Sequence, residues 1–223
     1  MCKKRMKKVK TIIFDLGGVL IDYSLERSVE QFRKLGYREM DKLINPYRQS
    51  GVLLELEKGE APPQALYDEI DRSVGRHVDP RAIDAALCSF LIDIPDYKLD
   101  MLLDLKRRGY ELFMLSNTNP IMMNYMKEGV FRKQGLGIGD YFDRLFLSYE
   151  MGLVKPYPEI FRRMIELSGI VPGQTLFIDD SPENAATGRS LGFDTYEARQ
   201  HEDFRSLFDG YEPLRRLPAG TTE

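Results

Sequence analysis

The sequence predicts an α/β protein, a doubly wound parallel sheet of Rossmann-like type with an all-helical cap inserted near its start, and three observations predict it. Short apolar runs rich in β-branched and aromatic residues recur along the chain. Amphipathic stretches of helical period alternate with the later runs, which is the pattern of strands crossed over by helices. Polar residues able to carry chemistry stand directly after the runs, where an open parallel sheet binds its ligands.

The first run is Val9–Phe14, ending in Asp15. From about residue 22 to 95 there is no strand signal. Helical patterns fill the interval at Leu25–Leu35, Gln64–Val74 and Ala82–Leu91, punctuated by Gly36, Pro46, Gly51, Gly59, Pro62 and Pro63. That is too much chain for a crossover, so residues 22–95 are expected to form a helical domain inserted into a core of residues 1–21 and 96–210. Asp96–Arg108 follows, with Leu99, Leu102, Leu103 and Leu105 near one face and Gly109 as its stop. The second strand is expected at Tyr110–Leu115 and the third at Arg144–Leu147. A helix at Pro158–Ser168 carries Ile160, Phe161, Met164, Ile165 and Leu167 and stops at Gly169. A fourth strand is expected at Thr175–Ile178 and a weaker fifth at Phe193–Tyr196. The run Gly135–Gly139 lacks dinucleotide-loop spacing and is expected to be a flexible loop. Tyr211–Glu223, with Pro213, Pro218 and Gly220, is expected to be a frayed tail.

Composition narrows the chemistry. The 223 residues suffice for one α/β core and a smaller appended domain, and the net charge of −3 offers no general attraction to nucleic acid or anionic lipid. The basic start, Lys3 to Lys10, precedes an apolar run that Asp15 interrupts, with no small-residue cleavage site after it. It is expected to be a solvated tail, not a secretory signal. No apolar run approaches the ~18 residues of a membrane-spanning helix, so the expected location is the cytoplasm. Cys2 and Cys88 are too few for a disulfide framework, and His77 and His201 stand apart from other candidate ligands. Carboxylates must therefore carry any catalysis.

The strand ends supply them. The first strand ends at Asp15, the second at Ser116-Asn117 and the fourth at Asp179-Asp180, while Lys155 follows the third. Taken singly, each has a plainer explanation: Ser116-Asn117 as turn residues, Lys155 as an exposed cation, Ser181-Pro182 as a helix cap and first helical position. Together they place three carboxylates, an ammonium and a hydroxyl–amide pair at one sheet edge. Unpaired carboxylates so close repel one another and resist burial, and a hard divalent cation relieves this, Mg²⁺ best of all. Phosphoryl transfer needs positioning and charge neutralisation, which such a set provides.

The ordered motifs IIFDLGGVLID (Ile12–Asp22), FMLSNTN (Phe113–Asn119), GLVKPYPEIF (Gly152–Phe161) and LFIDDSPEN (Leu176–Asn184) resemble those of the haloacid dehalogenase superfamily. The resemblance implies a phosphatase acting on a small phosphate ester, with Asp15 as nucleophile and an aspartyl-phosphate intermediate. It implies Ser116, Asn117 and Lys155, with Gly18 beside them, as the phosphate-binding set. It further implies Mg²⁺ held by Asp15, the Gly17 carbonyl and Asp180, with Asp179 direct or through water and Asn184 in the outer shell. The helical insertion falls where the family carries a cap over the substrate. One departure matters: most phosphatases of the superfamily have a second Asp two residues after the nucleophile, and here Gly17 stands there. That Asp supplies general acid–base help worth on the order of 10²–10⁴ in rate. The DLGGVL form is similar to a branch with α-D-glucose-1-phosphate phosphatases, whose anomeric leaving oxygen needs an acid least. Two alternatives remain: a phosphate-binding module without turnover, and a 2-haloacid dehalogenase, in which the Asp179-Asp180 pair would have little purpose. In the cap, Tyr47, Arg48, Glu55, Glu57 and Lys58 are the residues that could face the site.

Overall fold

Ile12, Ile13 and Phe14 are fully buried, as a strand covered by helices on both faces requires. In the computed structural model, which describes residues 6–45 and 47–214, the first apolar run is two strands, not one. Strand β1 (Lys7–Val9) and β2 (Thr11–Phe14) are separated by a bend at Lys10. Between β2 and the next strand come α1 (Leu25–Leu35), α2 (Met40–Leu43), α3 (Gly51–Glu57), α4 (Pro63–Val74), α5 (Pro80–Cys88) and α6 (Asp96–Arg108). The chain continues through β3 (Glu111–Ser116), α7 (Pro120–Glu128), α8 (Ile138–Tyr141), β4 (Arg144–Leu147), α9 (Ser148–Met151) and α10 (Pro158–Ser168). It closes with β5 (Thr175–Asp179), α11 (Pro182–Ser190), β6 (Asp194–Glu197) and β7 (Tyr211–Pro213).

The main sheet is five-stranded and parallel, in the order β4-β3-β2-β5-β6. Strand β2 is central. Phe14 lies opposite Met114 on one side and Ile178 on the other, so the residues just beyond, Asp15, Ser116 and Asp179, come to one edge. The order reverses between β2 and β5, which is where such sheets open a crevice for ligand.

Alternation along the strands divides the core. Ile12, Phe14, Leu112, Met114, Leu176 and Ile178 face one way and join a cluster that takes in Phe32, Leu56, Leu66, Ile70 and Leu87 from α1, α3, α4 and α5. Ile13, Phe113, Leu115 and Phe177 face the other way, against Ile160, Phe161 and Met164 of α10. The inserted helices thus share the hydrophobic cluster of one sheet face. At the seam between α5 and α7 the buried Cys88 thiol points at the Ile121 carbonyl, 3.9 Å away, and burial pushes it up to about 12.

The insertion leaves and returns through a short neck. Ile92 N–H donates to Asp22 O at 2.8 Å, Asp22 N–H to Asp93 O at 3.2 Å and Ser24 N–H to Phe90 O at 2.8 Å, around an antiparallel bridge between Tyr23 and Leu91. This bridge falls in an interval whose sequence carries no strand signal; the expected helix Ala82–Leu91 ends instead at Cys88, and the chain straightens to pair. His201, at φ 66°, sets Nδ1 2.7 Å from Asp22 Oδ2, and Gln200 Nε2 donates to Tyr23 O at 2.6 Å, so the loop after β6 clamps the neck.

Two local expectations are corrected. The tail expected to fray from Tyr211 is ordered at its start. Residues 211–213 pair with β1, Tyr211 is buried, and its hydroxyl donates to Asp194 Oδ2 at 2.7 Å. The remainder of that tail, from residue 215, lies outside the described residues, as do Lys3 and Lys4. The Gly135–Gly139 loop is shorter than expected, because α8 begins at Ile138 with the Asp140 carboxylate accepting from Gly137 N–H at 2.7 Å. Among the described residues no helix is long and apolar enough to cross a membrane.

Candidate active site

Asp15 extends β2 by one hydrogen bond, its N–H donating to Ile178 O at 2.8 Å. Its Oδ1 accepts from Leu16 N–H at 2.7 Å and lies 2.9 Å from Lys155 Nζ, which leaves Oδ2 with no recorded partner among the described residues. The following loop turns tightly: Gly18 N–H donates to Ile21 O, and Leu20 and Ile21 N–H both donate to Leu16 O. Gly18 adopts φ 71°, and a Cβ there would lie 2.1 Å from Asp180 Oδ2, so only glycine lets the loop approach that carboxylate. Beneath the loop, the fully buried Lys98 donates to Val19 O at 2.6 Å. Burial lowers the Lys98 pKa, with Asp22, Asp203 and Glu202 opposing.

Lys155 is the hub. Its ammonium bridges Asp15 Oδ1 at 2.9 Å and Asp179 Oδ2 at 2.7 Å. Burial disfavours its charge, but Asp15 and Asp179 overcome this and raise its pKa. Its backbone is held by Asn117, whose Oδ1 accepts from Lys155 N–H at 2.8 Å and whose Nδ2 donates to Lys155 O at 3.0 Å. The Asn117 amide is thus committed at both ends. Ser116 is buried at the end of β3, and its hydroxyl makes a long 3.4 Å contact to Asn117 O, with no other side-chain partner among the described residues.

The two adjacent aspartates differ. Asp179 is fully buried and saturated: Oδ2 meets Lys155, and Oδ1 accepts from Ser181 N–H and Asn184 Nδ2, each at 2.9 Å. Ser181 and Pro182 do cap α11, with Ser181 Oγ accepting from Asn184 N–H. Asp180 takes the Tyr23 hydroxyl at 3.5 Å as its side-chain partner among the described residues. One ligand atom from each of Asp15, Asp179 and Asp180 lies within 4.8 Å of the others. Burial raises Asp15 and Asp180 well above the ordinary carboxylate range; neighbouring carboxylates add to it and Lys155 opposes it. One ammonium among three carboxylates leaves the cluster short of positive charge. The unpartnered oxygens of Asp15 and Asp180 are hard donors suited to a divalent cation of the Mg²⁺ type.

Over this floor lies a roof from the insertion. A cavity of about 70 Å³ is bounded below by Asp15, Gly17, Asn117 and Asp180 and above by Tyr23, Tyr47 and Glu57. It shares a wall of Gln49, Glu57, Asn117 and Lys155 with a second cavity of about 270 Å³, lined also by Arg48, Lys58 and Tyr157. Arg48 hydrogen-bonds the Tyr157 hydroxyl and lies 5.5 Å over its ring, tying the insertion to the core. Of the cap residues singled out by sequence, Tyr47, Arg48, Glu57 and Lys58 line a cavity, whereas Glu55 is exposed and lines neither. His77 pairs with Asp71 and His201 with Asp22, both outside the cavities. Sequence reasoning missed Tyr23, Gln49 and Lys98. Tyr23 sits one residue past the first motif and was within reach; a lysine inside a charged helical stretch carries no such signal.

A family model for haloacid dehalogenase-like hydrolases matches residues 9–192. The D-ribitol-5-phosphate phosphatase of Bacteroides thetaiotaomicron is 36% identical over 197 residues, spanning 88% of this chain and 95% of that protein. A glyceraldehyde 3-phosphate phosphatase of Pyrococcus furiosus is 27% identical over 187 residues, 78% of this chain and 74% of its own length. Among solved structures, a haloacid dehalogenase family enzyme from Bacteroides thetaiotaomicron, in complex with magnesium and inorganic phosphate, superposes with a TM-score of 0.84. It is 42% identical and covers 90% of this chain and 99% of that one.

Proposed function

The chain belongs to the haloacid dehalogenase-like hydrolase family, and from that premise we propose that it is a Mg²⁺-dependent phosphatase of small phosphorylated metabolites that works through a phosphorylated Asp15. The observation that carries this is the cluster of Asp15, Asp179 and Asp180 within 4.8 Å around a buried ammonium, with one oxygen of Asp15 unpaired among the described residues. Named relatives that act on phosphate esters, and a magnesium and phosphate complex of a similar enzyme, support it.

In this reading the Asp15 carboxylate, the Gly17 carbonyl and Asp180 would hold Mg²⁺, and Asn184 steadies Asp179 behind them. Bound there, the metal supplies charge neutralisation between the phosphate and its attacking carboxylate. Asp15 Oδ2 attacks phosphorus, the ester oxygen leaves, and water later cleaves the aspartyl phosphate. Lys155 balances the phosphate oxygens. The Ser116 hydroxyl and the main-chain N–H groups of Asn117 and Gly17 orient them, while Gly18, whose N–H donates to Ile21 O, lets the loop approach closely. The Asn117 side chain acts indirectly, by fixing Lys155. Asp179, with every oxygen already paired, positions Lys155 more than it binds metal.

Residues 22–95 act as a cap and residues 1–21 and 96–210 as the catalytic core. The cavity of about 270 Å³ suits a sugar or sugar alcohol of a few carbons, with Arg48, Gln49 and Lys58 as hydroxyl partners. A phosphorylated pentitol is the reading favoured by the D-ribitol-5-phosphate phosphatase relative. A sugar 1-phosphate is the second, favoured by Gly17, since an anomeric oxygen departs without much acid help. Phosphate release from ribitol 5-phosphate, glucose 6-phosphate and glucose 1-phosphate, with and without Mg²⁺, tests both. Metal-dependent turnover that Asp15→Asn abolishes is the expected result. Equal rates on all three would reject either preference, and no release from any would reject the phosphatase.

A further inference from the structure

The phosphatase reading leaves one role unfilled, and this inference rests on that reading. An alkyl phosphate does not release its alkoxide readily without a proton, yet Gly17 offers no side chain two residues after Asp15. We infer that Glu57, the last residue of α3, is the general acid and base of the reaction, delivered from the inserted helices and not from the catalytic loop.

The geometry supports this in three ways. Glu57 is only 7% exposed, and what remains open faces the site: it lines both the small cavity over Asp15 and the larger one beside it, on the wall they share with Lys155 and Asn117. A leaving oxygen, lying between a phosphate in the first cavity and an organic group in the second, comes to that same wall. Glu57 also has no hydrogen-bond or ion-pair partner among the described residues. Lys58, next to it, pairs instead with Glu60 at 3.6 Å. A buried carboxyl without a partner is costly unless it keeps its proton. Burial pushes Glu57 up to about 8, with the charge of Lys155 opposing and that of Asp15 adding, so at neutral pH the group is a proton donor. Finally, Glu57 is held in place: Val52, Leu53 and Leu56 of the same helix are buried in the shared core.

The steps balance. As the Asp15 Oδ2–phosphorus bond forms and the phosphorus–ester oxygen bond breaks, the Glu57 proton passes to the departing oxygen and the alcohol leaves neutral. Glu57, now a carboxylate, takes a proton from the water that attacks the aspartyl phosphate. Phosphate departs, Asp15 is restored, and Glu57 is protonated again.

The experiment compares ribitol 5-phosphate with p-nitrophenyl phosphate, whose phenolate leaves without a proton. Glu57→Gln is expected to lower the ratio of alkyl to aryl phosphorylation rates by on the order of 10²–10⁴, and to give a nitrophenolate burst of one per enzyme as the phosphorylated Asp15 accumulates. A second variant tests the same role by rescue. A Cβ at residue 17 meets only Tyr23 Cδ1, at an ordinary 3.7 Å, so Gly17→Asp can be accommodated. In the Glu57→Gln background it should restore alkyl turnover at least about tenfold. Equal loss of the phosphorylation rate on both esters, or no loss on either, overturns the assignment while leaving the phosphatase intact. No turnover of either ester by the unmodified protein overturns the phosphatase reading itself, and this inference with it.

Discussion

The floor of the site and its roof are built on opposite principles. On the floor, Asp179 has every oxygen paired, Asn117 both ends of its amide and Lys155 two carboxylates, with Asp179 and Lys155 buried and Asn117 partly so. In the roof, Tyr47 is half exposed, Glu57 has no hydrogen-bond or ion-pair partner among the described residues, and Arg48 is held by Tyr157. The floor therefore has one arrangement available, fixed before any ligand arrives, which is what charge stabilisation of a transition state demands. The roof is left short of partners, and the missing partners are what a substrate can provide. On the function proposed above, the difference separates reaction type, assigned to the floor, from substrate choice, assigned to the roof.

Substitutions can break or sharpen that division. The largest effect should come from Lys155→Met, which strands Asp15 and Asp179 together in a buried place. Phosphate release should fall by more than about 10³-fold and stability by ~3 kcal/mol in urea denaturation. A loss of activity with unchanged stability would mean that the floor is less interdependent than its hydrogen bonds indicate. Next, Gly18→Ala forces a methyl group against Asp180, so Mg²⁺ affinity in a calorimetric titration should drop by roughly 10–100-fold. An unaltered affinity would remove Asp180 from the metal site.

Glu57 gives the third test, through pH. Its folded-state value near 8 lies above the ordinary ~4.3 of an unfolded glutamate. Between those values the folded chain binds the extra proton. The stability this confers is complete below about pH 4 and is lost as pH rises through about 8. Glu57→Gln cannot ionise, so in thermal melts it should gain on the unmodified protein between about pH 5 and about pH 8, by up to ~3 kcal/mol. A constant difference would place the Glu57 carboxyl in a far more solvated setting. The smallest effect is expected from Arg48→Ala, a roof residue on the larger cavity. It should raise KM about tenfold or less while kcat stays within about threefold, because the floor is untouched. A large fall in kcat would show that the roof also helps assemble the catalytic groups.

The same contrast decides what could be foreseen in the sequence. Strands, helix stops and most floor residues are encoded locally: Asp15, Ser116 and Asp179 stand where apolar runs end, Lys155 follows in the loop after α9, and strand β2 lies at the centre as a doubly wound sheet requires. The ends of α1, α6 and α10 agree with the expected ranges because Gly36, Gly109 and Gly169 stop them. What escaped depends on distant partners. Strand β7 exists only because β1 lies beside it, the Tyr23–Leu91 bridge only because both ends of the insertion meet there, and Lys98 serves the catalytic loop from a helix some eighty residues later. The Asn117 side-chain amide fixes the Lys155 backbone, a pairing no spacing rule displays. Among five polar cap residues of equal standing in the sequence, burial alone distinguishes Glu57 from Glu55.

The seam between α5 and α7 contains a built-in clock. Cys88 is 5% exposed with its thiol pushed up to about 12, so while the helices stay together it is inert to alkylating reagents. Any excursion that parts the inserted helices from α7 bares it. With Cys2 replaced by serine, the rate at which a thiol reagent consumes this sulfur counts those excursions one by one. A tight-binding phosphate analogue should make the clock run slow if substrate holds the two parts together, and a reagent trapped there should freeze the helices apart.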